Sequence, residues 1–397
     1  MMTPRLAPAC ALLVVAGCGS VLLAPEHHDH DHGHDHVDGH GHGHGHGHGH
    51  DDHEHALASP QDAGADEARA FLLGPLAPRA DEPPALQAAR AELHRALEAH
   101  EFPAAVAAAG RVLEARPHDP AAHLLLSDAL VELGRLDEAE AALQTVLDLR
   151  PGATSYFRAG WLLHLRGQEA PALEALELAR EAARTSPPAA RAWILTQTAD
   201  LCRAAGRPER AAALYRQALS LAPRWEPAHL GLARAALAQG DPWEATRALA
   251  QVRPSVEGLH LEARARRALG QAERAGTAVR RALALGRGDA HDARALALLL
   301  ADEGLTPRRA LELASSEVAA RPGPHSWDAL AWALLRAGQA APALSAAERA
   351  LSWGTREPEL LWHAGQAARA AGDPRADAWL RDAVSLDPSL AALERAS

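Results

Sequence analysis

Histidine is the residue type with the most chemical capacity in this chain, and it is concentrated in one segment from Glu26 to His55. There it alternates with aspartate and glycine, so that many overlapping sets of imidazole and carboxylate groups can surround one ion. Neutral imidazole binds divalent Zn, Ni, Cu and Co, and this binding should weaken below about pH 6.5. The sequence therefore predicts several exchangeable, poorly selective metal sites. The candidate ligands are His27, His28, His30, His32, His34, His36, His40, His42, His44, His46, His48, His50, His53 and His55.

Two other roles fit the same segment. It could serve as a hydrated spacer, or as a charge switch that becomes cationic in acid. The segment carries −8 of the net charge of −11, which leaves −3 for the rest of the chain. Neither part of the chain has an excess of basic residues that could form a positively charged face. Nucleic acid is therefore not expected as a partner.

The amino terminus has the pattern of an export signal. Arg5 precedes an apolar run from Ala9 to Gly17, and this run is too short to span a bilayer. Its end, Val15-Ala16-Gly17-Cys18, resembles a bacterial lipobox. The resemblance implies a signal peptide at 1–17, acylation of Cys18 and a short lipidated amino terminus at 18–25. An ordinary cleaved signal and an uncleaved anchor remain as alternatives.

The lipobox also implies a location. A chain acylated at Cys18 is exported and anchored in the cell envelope, at the periplasmic face of the outer membrane if the organism is Gram-negative. Cys10 would leave with the signal, so Cys202 would be the only free thiol and no internal disulfide is expected. Cys202 lies in an apolar helical pattern, which predicts a buried core residue.

Catalytic patterns are not evident in the sequence. It contains no lysine, which excludes a phosphate-binding loop of the GxxxxGK[ST] type. The ten histidines outside the amino-terminal segment form neither an HExxH pattern nor a set with metal-ligand spacing. We therefore expect a protein that is not an enzyme and requires no cofactor.

Beyond a Pro/Ala-rich linker at 56–85 the sequence becomes periodic. In SDALVELGRLDEAEAAL, Gly134 ends one amphipathic helix, and the small residue Ala139 follows in the next. Four of the seven separations between such turn glycines are 34 residues. This period, with two helices per unit, resembles the tetratricopeptide repeat. The turn glycines are Gly134, Gly167, Gly206, Gly240, Gly270, Gly304, Gly338 and Gly372.

The resemblance implies an all-α, right-handed α-solenoid of about eight to nine helix pairs over 86–397, preceded by a disordered His-rich tether. Each glycine should adopt the left-handed conformation that ends a helix. Alanines such as Ala139 and Ala343 should let paired helices approach closely. A degenerate extra unit is expected at 86–119, without a recognisable turn glycine.

A solenoid of this type presents a concave face built from the first helix of each pair. Its inner positions offer aromatic residues at one end and arginine along the rest, which suits an acidic, extended protein partner. The alternative is a solvated helix surface on which arginine is balanced by neighbouring glutamate. The candidate groove residues are Phe157, Trp161, His164, Arg203, Arg234, Arg264, Arg267, Arg294, Arg336 and Arg369.

Two functions are consistent with these features. The first is a membrane-tethered scaffold that binds protein partners and buffers or delivers Zn, Ni or Cu through its His-rich tether. The second is an envelope assembly adaptor, in which residues 26–55 are only a hydrated spacer. Removal of the histidines distinguishes them, because only the first function depends on metal.

Overall fold

The computed structural model describes residues 82–288 and 292–391. The predicted signal, Cys18, the His-rich segment and nearly all of the linker lie outside the described residues. Within these ranges the chain forms eighteen helices and no strand. None of these helices combines the length and apolarity needed to cross a membrane.

The helices are named in chain order. They are α1 (Pro84–Glu98), α2 (Phe102–Ala115), α3 (Pro120–Glu132), α4 (Leu136–Leu149), α5 (Ala153–Leu165), α6 (Glu169–Ala182), α7 (Pro188–Ala204), α8 (Pro208–Leu221), α9 (Glu226–Ala238), α10 (Pro242–Leu249), α11 (Val256–Ala268), α12 (Ala272–Leu285), α13 (Ala293–Asp302), α14 (Pro307–Ala320), α15 (Pro324–Arg336), α16 (Ala340–Leu351), α17 (Pro358–Ala371) and α18 (Ala376–Leu386). Each odd-numbered helix packs on the even-numbered helix that follows it, which makes nine units. Unit 1 is α1 with α2, and unit 9 is α17 with α18. The predicted all-α solenoid is confirmed.

Glycine and proline define the helix boundaries inside each unit. All eight predicted turn glycines have positive φ, between 64° and 77°. At the first of them, Gly134 N–H donates to Val131 O at 2.8 Å and Arg135 N–H donates to Leu130 O at 2.8 Å, which satisfies carbonyls at the end of α3. Proline often occupies the first turn of the next helix, where its missing N–H costs nothing. The predicted left-handed turns are confirmed.

Unit 1 uses histidine where the other units use glycine. His100, between α1 and α2, has φ of 57°, close to the value at the turn glycines. Its position, 34 residues before Gly134, continues the repeat in register. The extra helix pair is therefore present, and α1 begins at Pro84, two residues earlier than the predicted boundary. Glu82 extends the ordered region further, because its carboxylate accepts a hydrogen bond from Arg90 Nε at 2.8 Å.

The core is a continuous layer of small side chains between the helices of successive units. Its largest cluster runs from Leu124 in unit 2 to Ala265 in unit 6. The predicted contact alanines Ala139 and Ala343 are fully buried, as is Cys202. Alanine at these positions allows close helix packing, and the apolar face left by each pair is covered by the next unit.

The array turns back on itself. The side chains of Trp353 and Pro322 cover Gly134, and the backbone of Gly354 lies against Gly167. Further along, Leu386 covers Gly206. We call this surface, where units 2–4 meet units 7–9, the seam. Because the seam joins units five to six positions apart, the inner face is partly covered by the chain itself.

Candidate partner-binding inner face

A buried cluster of histidine and carboxylate groups lies at the centre of the seam. Glu357, in the loop before α17, has its Oε1 2.8 Å from His325 Nε2 and 3.4 Å from His164 Nε2. The other ring nitrogen of His164 lies 3.1 Å from Glu169 Oε2. Thr355 Oγ1 is 3.1 Å from His164 Nε2. One carboxylate, 193 residues beyond His164 in the sequence, thus links His164 of unit 3 to His325 of unit 8.

This cluster is charged rather than neutral. Burial disfavours the imidazolium of His164, but hydrogen bonds to Glu169 and Glu357 outweigh it and raise the pKa of His164 to about 9. Burial also opposes ionisation of Glu357, yet the charge of His325 and the hydrogen bond from His164 hold its pKa well below the ordinary value. Each group therefore stabilises the charged form of its neighbours.

A second group at the seam is a partly buried carboxyl whose charge is less well compensated. Glu132 is the last residue of α3, and its charged neighbours across the seam include Arg321, Glu317 and Arg294. Burial raises the pKa of Glu132 to about 8, an effect that Arg321 only partly offsets. Glu132 is therefore mostly protonated at neutral pH, unlike Glu357.

The inner face has a small cleft, with a cavity volume of about 20 Å³, that opens to solvent. Arg203, Arg234 and Arg264 line one side of it, from the first helices of units 4, 5 and 6. Opposite them lie residues of unit 9 and of the segment that follows it, among which Glu359 and Asp387 carry charge. Arg264 Nη1 donates to Glu359 Oε1 at 3.3 Å. The cleft is thus a composite of four units.

The side chains at the predicted aromatic end of the groove are buried and are not exposed to solvent. Phe157 is fully buried and makes an edge-to-face contact with Trp193, with ring centroids 4.7 Å apart. Trp161 is 6% exposed and stacks on His325 from unit 8, with centroids 6.4 Å apart. His164 belongs to the buried cluster described above. These three side chains contact the chain itself because the seam covers unit 3.

The other four predicted groove arginines interact with acceptor groups close to them on the chain's own surface. Arg267 pairs with Glu303, and Arg369 pairs with Asp377 at 3.6 Å. Arg336 Nε donates to the carbonyl of Ala301 at 3.0 Å, and its guanidinium lies over the ring of Trp332. Arg294 lies near Glu132. Their surroundings match the alternative of arginine balanced by local acceptors. The structure therefore brings together Arg203, Arg234 and Arg264, and it separates them from the other four.

Several seam residues were missed by the sequence analysis. His325, Thr355 and Glu357 contact unit 3, and Leu386 and Asp387 close the cleft. One signal was available, since the segment 352–357 between α16 and α17 is longer than the links at 150–152 and 321–323 and places Glu357 in extended backbone. The sequence alone could not show which earlier unit this loop would contact.

The proposed metal ligands cannot be placed. All fourteen histidines from His27 to His55 lie outside the described residues. Within residues 82–288 and 292–391, no group of three or more His, Cys, Asp or Glu side chains is arranged to hold a metal ion.

Comparison with protein families finds a match to part of the array. A family model described as tetratricopeptide repeat matches residues 96–160 and 203–258. These segments include units 2 and 5, and they agree with the helix pairs and glycine turns seen in the structure. The matched segments are therefore similar to tetratricopeptide repeats. No curated protein matches the chain.

Three solved structures show a partial similarity to this chain. PilW, described as a widely conserved type IV pilus biogenesis factor, has 18% identity and a TM-score of 0.45, covering 51% of this chain and 94% of that one. PilF of Pseudomonas aeruginosa has 16% identity and a TM-score of 0.42, covering 52% and 93%. Cut9, in the APC/C hetero-tetramer Cut9-Hcn1, has 11% identity and a TM-score of 0.35, covering 78% and 96%.

Proposed function

We propose that this protein is a membrane-tethered scaffold that binds protein partners on its tetratricopeptide-repeat array. The scaffold part is supported by the array itself, because stacked helix pairs create an extended inner surface suited to protein binding. The cleft formed by Arg203, Arg234 and Arg264 is the part of that surface with the clearest binding chemistry. An acidic, extended partner would complement these guanidinium groups.

The tether adds metal handling to this function. The histidines between His27 and His55 buffer or deliver divalent Zn, Ni or Cu, while the lipid on Cys18 holds the chain in the cell envelope. The support is the density of imidazole in the sequence, since neutral imidazole is the preferred ligand of these ions. The array would then bring the metal close to a protein that uses it.

Metal handling is tested by measuring total cellular metal with and without residues 27–55, in metal-poor and metal-rich media. A selective change in Zn, Ni or Cu is expected. No change in any metal would favour the alternative function, an envelope assembly adaptor whose His-rich segment is a hydrated spacer.

The anchor is tested separately. A Cys18→Ser variant should no longer incorporate labelled fatty acid, and it should leave the membrane fraction. Normal acyl labelling of that variant would contradict the lipid anchor without affecting the proposal for metal.

A further inference from the structure

The strongest unassigned site is the cleft at the seam. Its basic side consists of Arg203, Arg234 and Arg264 on three consecutive first helices. Its other side comes from unit 9 and includes Pro358, Glu359, Leu386, Asp387 and Ser389. Leu237, Leu261, Ala238 and Pro208 complete the lining. The cleft therefore combines cationic groups with apolar surface, which is the character of a site for a side chain rather than for a hydrated ion.

The three guanidinium groups are not equally satisfied. Arg234 forms an ion pair with Glu257, and Arg264 forms one with Glu359. The Nε–H of Arg203 is buried and has no hydrogen-bond acceptor among the described residues. Buried donors in folded proteins nearly always have an acceptor, so an unpaired one indicates a missing group. Among the three arginines of the cleft, Arg203 is therefore the one whose hydrogen-bonding capacity the described residues use least.

The electrostatic potential of the arginines in the cleft favours a carboxylate as the partner of Arg203. Desolvation disfavours the charged form of Glu359, whose side chain is 43% exposed, but the charges of Arg264 and Arg203 outweigh it and lower its pKa to about 2. Asp387 does not supply the missing charge to Arg203, because its carboxylate accepts hydrogen bonds from the N–H and the hydroxyl of Ser389. Burial also raises the pKa of Asp387.

We propose that the cleft binds a glutamate or aspartate side chain from an extended segment of a partner protein, with Arg203 as the main donor. Apolar side chains next to that carboxylate in the partner contact Leu237, Leu261 and Leu386. This inference rests on the proposed scaffold function and specifies where and how the partner binds. Because unit 9 forms one side of the site, the site is complete only when the seam is closed, so binding and closure support each other.

The test uses the full chain and a fluorescein-labelled decapeptide in which Glu alternates with Leu or Pro. A matched peptide has Gln in place of every Glu. Fluorescence anisotropy should show at least tenfold tighter binding of the Glu peptide to the wild-type protein. Arg203→Gln should remove this preference, whereas Arg184→Gln, which removes the same charge from the exposed turn after α6, should keep it. Equal binding of the two peptides to the wild type, or an unchanged preference in Arg203→Gln, would overturn the proposal.

Two further arms address folding and the source of the carboxylate. Arg203→Lys keeps the charge but not the planar guanidinium, so a partial loss of preference is expected with an unchanged helical circular dichroism spectrum. Free glutarate should compete only at concentrations far above that of the peptide. Competition by glutarate at the peptide's own concentration would show a small-molecule site and would overturn the assignment to a protein segment.

The coupling to closure has its own matched pair of variants. A Cβ at Gly206 would lie 2.7 Å from Leu386 Cδ2, whereas a Cβ at Gly240 meets nothing within 4 Å. Gly206→Ala should therefore weaken binding of the Glu peptide at least fivefold, and Gly240→Ala should leave that binding unchanged. Equal effects of the two variants would contradict a site that depends on unit 9.

Failure of this inference and failure of the proposed function give different results. With a photo-crosslinker at residue 336 on the inner face, a scaffold should capture a specific protein in host cells, and a crosslinker at residue 184 should not. If that capture persists in Arg203→Gln, the scaffold function holds and the cleft is not the site. If the wild-type chain captures no specific protein, the scaffold function itself fails.

Discussion

The turns of units 2–4 and those of units 5–9 have the same glycine and the same backbone conformation, but their surroundings differ. Gly134, Gly167 and Gly206 lie under residues of the carboxyl-terminal units. The turn glycines from Gly240 onward meet no other atoms where a side chain would project. The repeat requires glycine for its left-handed turn in both regions. Only in the first region does the absence of a side chain also allow two distant parts of the chain to touch.

This comparison separates local from tertiary causes of stability. In the open region a change at the turn should affect one unit. In the covered region a change at the turn should also affect the seam. It should then disturb the cleft and the histidine–carboxylate cluster, which form only where the seam brings distant units together. The effects below are ordered from the largest expected to the smallest.

Removal of the central carboxylate should produce the largest effect. Glu357→Ala removes the acceptor that the buried His164 shares with the partly exposed His325, and loss of one partner from a buried ion pair costs about 3–5 kcal/mol. The exposed control Glu181→Ala breaks a surface pair with Arg184, which is worth about 0–1 kcal/mol. Urea unfolding followed by circular dichroism measures both. Similar losses in the two variants would mean that the seam contributes little.

The turn glycines provide a more direct comparison. Gly167 and Gly270 have nearly the same φ, 71° and 72°. Alanine at either position should therefore carry a similar backbone strain of about 1 kcal/mol. A Cβ at Gly167 would also lie 2.5 Å from Gly354 O. We expect Gly167→Ala to lose about 1–3 kcal/mol more in the free energy of unfolding. If both lose the same amount, Gly167 and Gly354 are not in contact.

The seam should also respond to pH. A group whose pKa is raised on folding stabilises the fold fully below its unfolded pKa and loses this contribution as pH rises through the folded value. His164 should lose its contribution between pH 6.5 and about 9, and Glu132 between pH 4.5 and about 8. Glu359, with its pKa lowered to about 2, acts in the opposite direction and loses its contribution only below pH 4.5.

Maximum stability is therefore expected at about pH 4.5–5, with a steady decline toward pH 9. Melting temperatures across this range would show the decline. Glu132→Gln should flatten it between pH 5 and 8, because the amide does not ionise. An unchanged slope in that variant would exclude Glu132 as a source of the decline.

The smallest effect is expected for an arginine that the seam does not use. Arg267→Gln removes a pair with Glu303 in which the arginine side chain is 44% exposed, so the loss should be about 0–1 kcal/mol. Arg264→Gln on the same helix removes a contact that joins unit 6 to unit 9, so it should also weaken the seam and cost more. Chemical unfolding of both variants would reveal the difference, and a reversed order would contradict the assignment of Arg264 to the seam.

The local features of the fold could be predicted from sequence because they repeat. Glycine at Gly134 and alanine at Ala139 have a physical role inside one unit, and that role recurs every 34 residues. His100 escaped notice because histidine occupies a left-handed turn less often than glycine, although its position was in register. The all-α class and the solenoid followed from this local information.

The inner face could be predicted only in part, for a different physical reason. The positions of Arg203, Arg234 and Arg264 followed from helix periodicity, but their partner Glu359 lies 95 residues beyond Arg264. Whether a solenoid closes depends on small rotations between units, which accumulate along the array. No short pattern around Trp161 indicates that unit 8 will cover it.

Closure of the array is tested most directly by one distance. Spin labels at Arg166→Cys and Arg356→Cys, in a chain whose three native cysteines are replaced, flank the contact between Gly167 and Gly354. Electron–electron double resonance should give a single distance of about 20 Å or less, most of it due to the label arms. A solenoid that stays open would place these sites roughly 50 Å apart, at about 10 Å per unit. The short distance would establish the seam, and the long distance would contradict it together with the composite cleft.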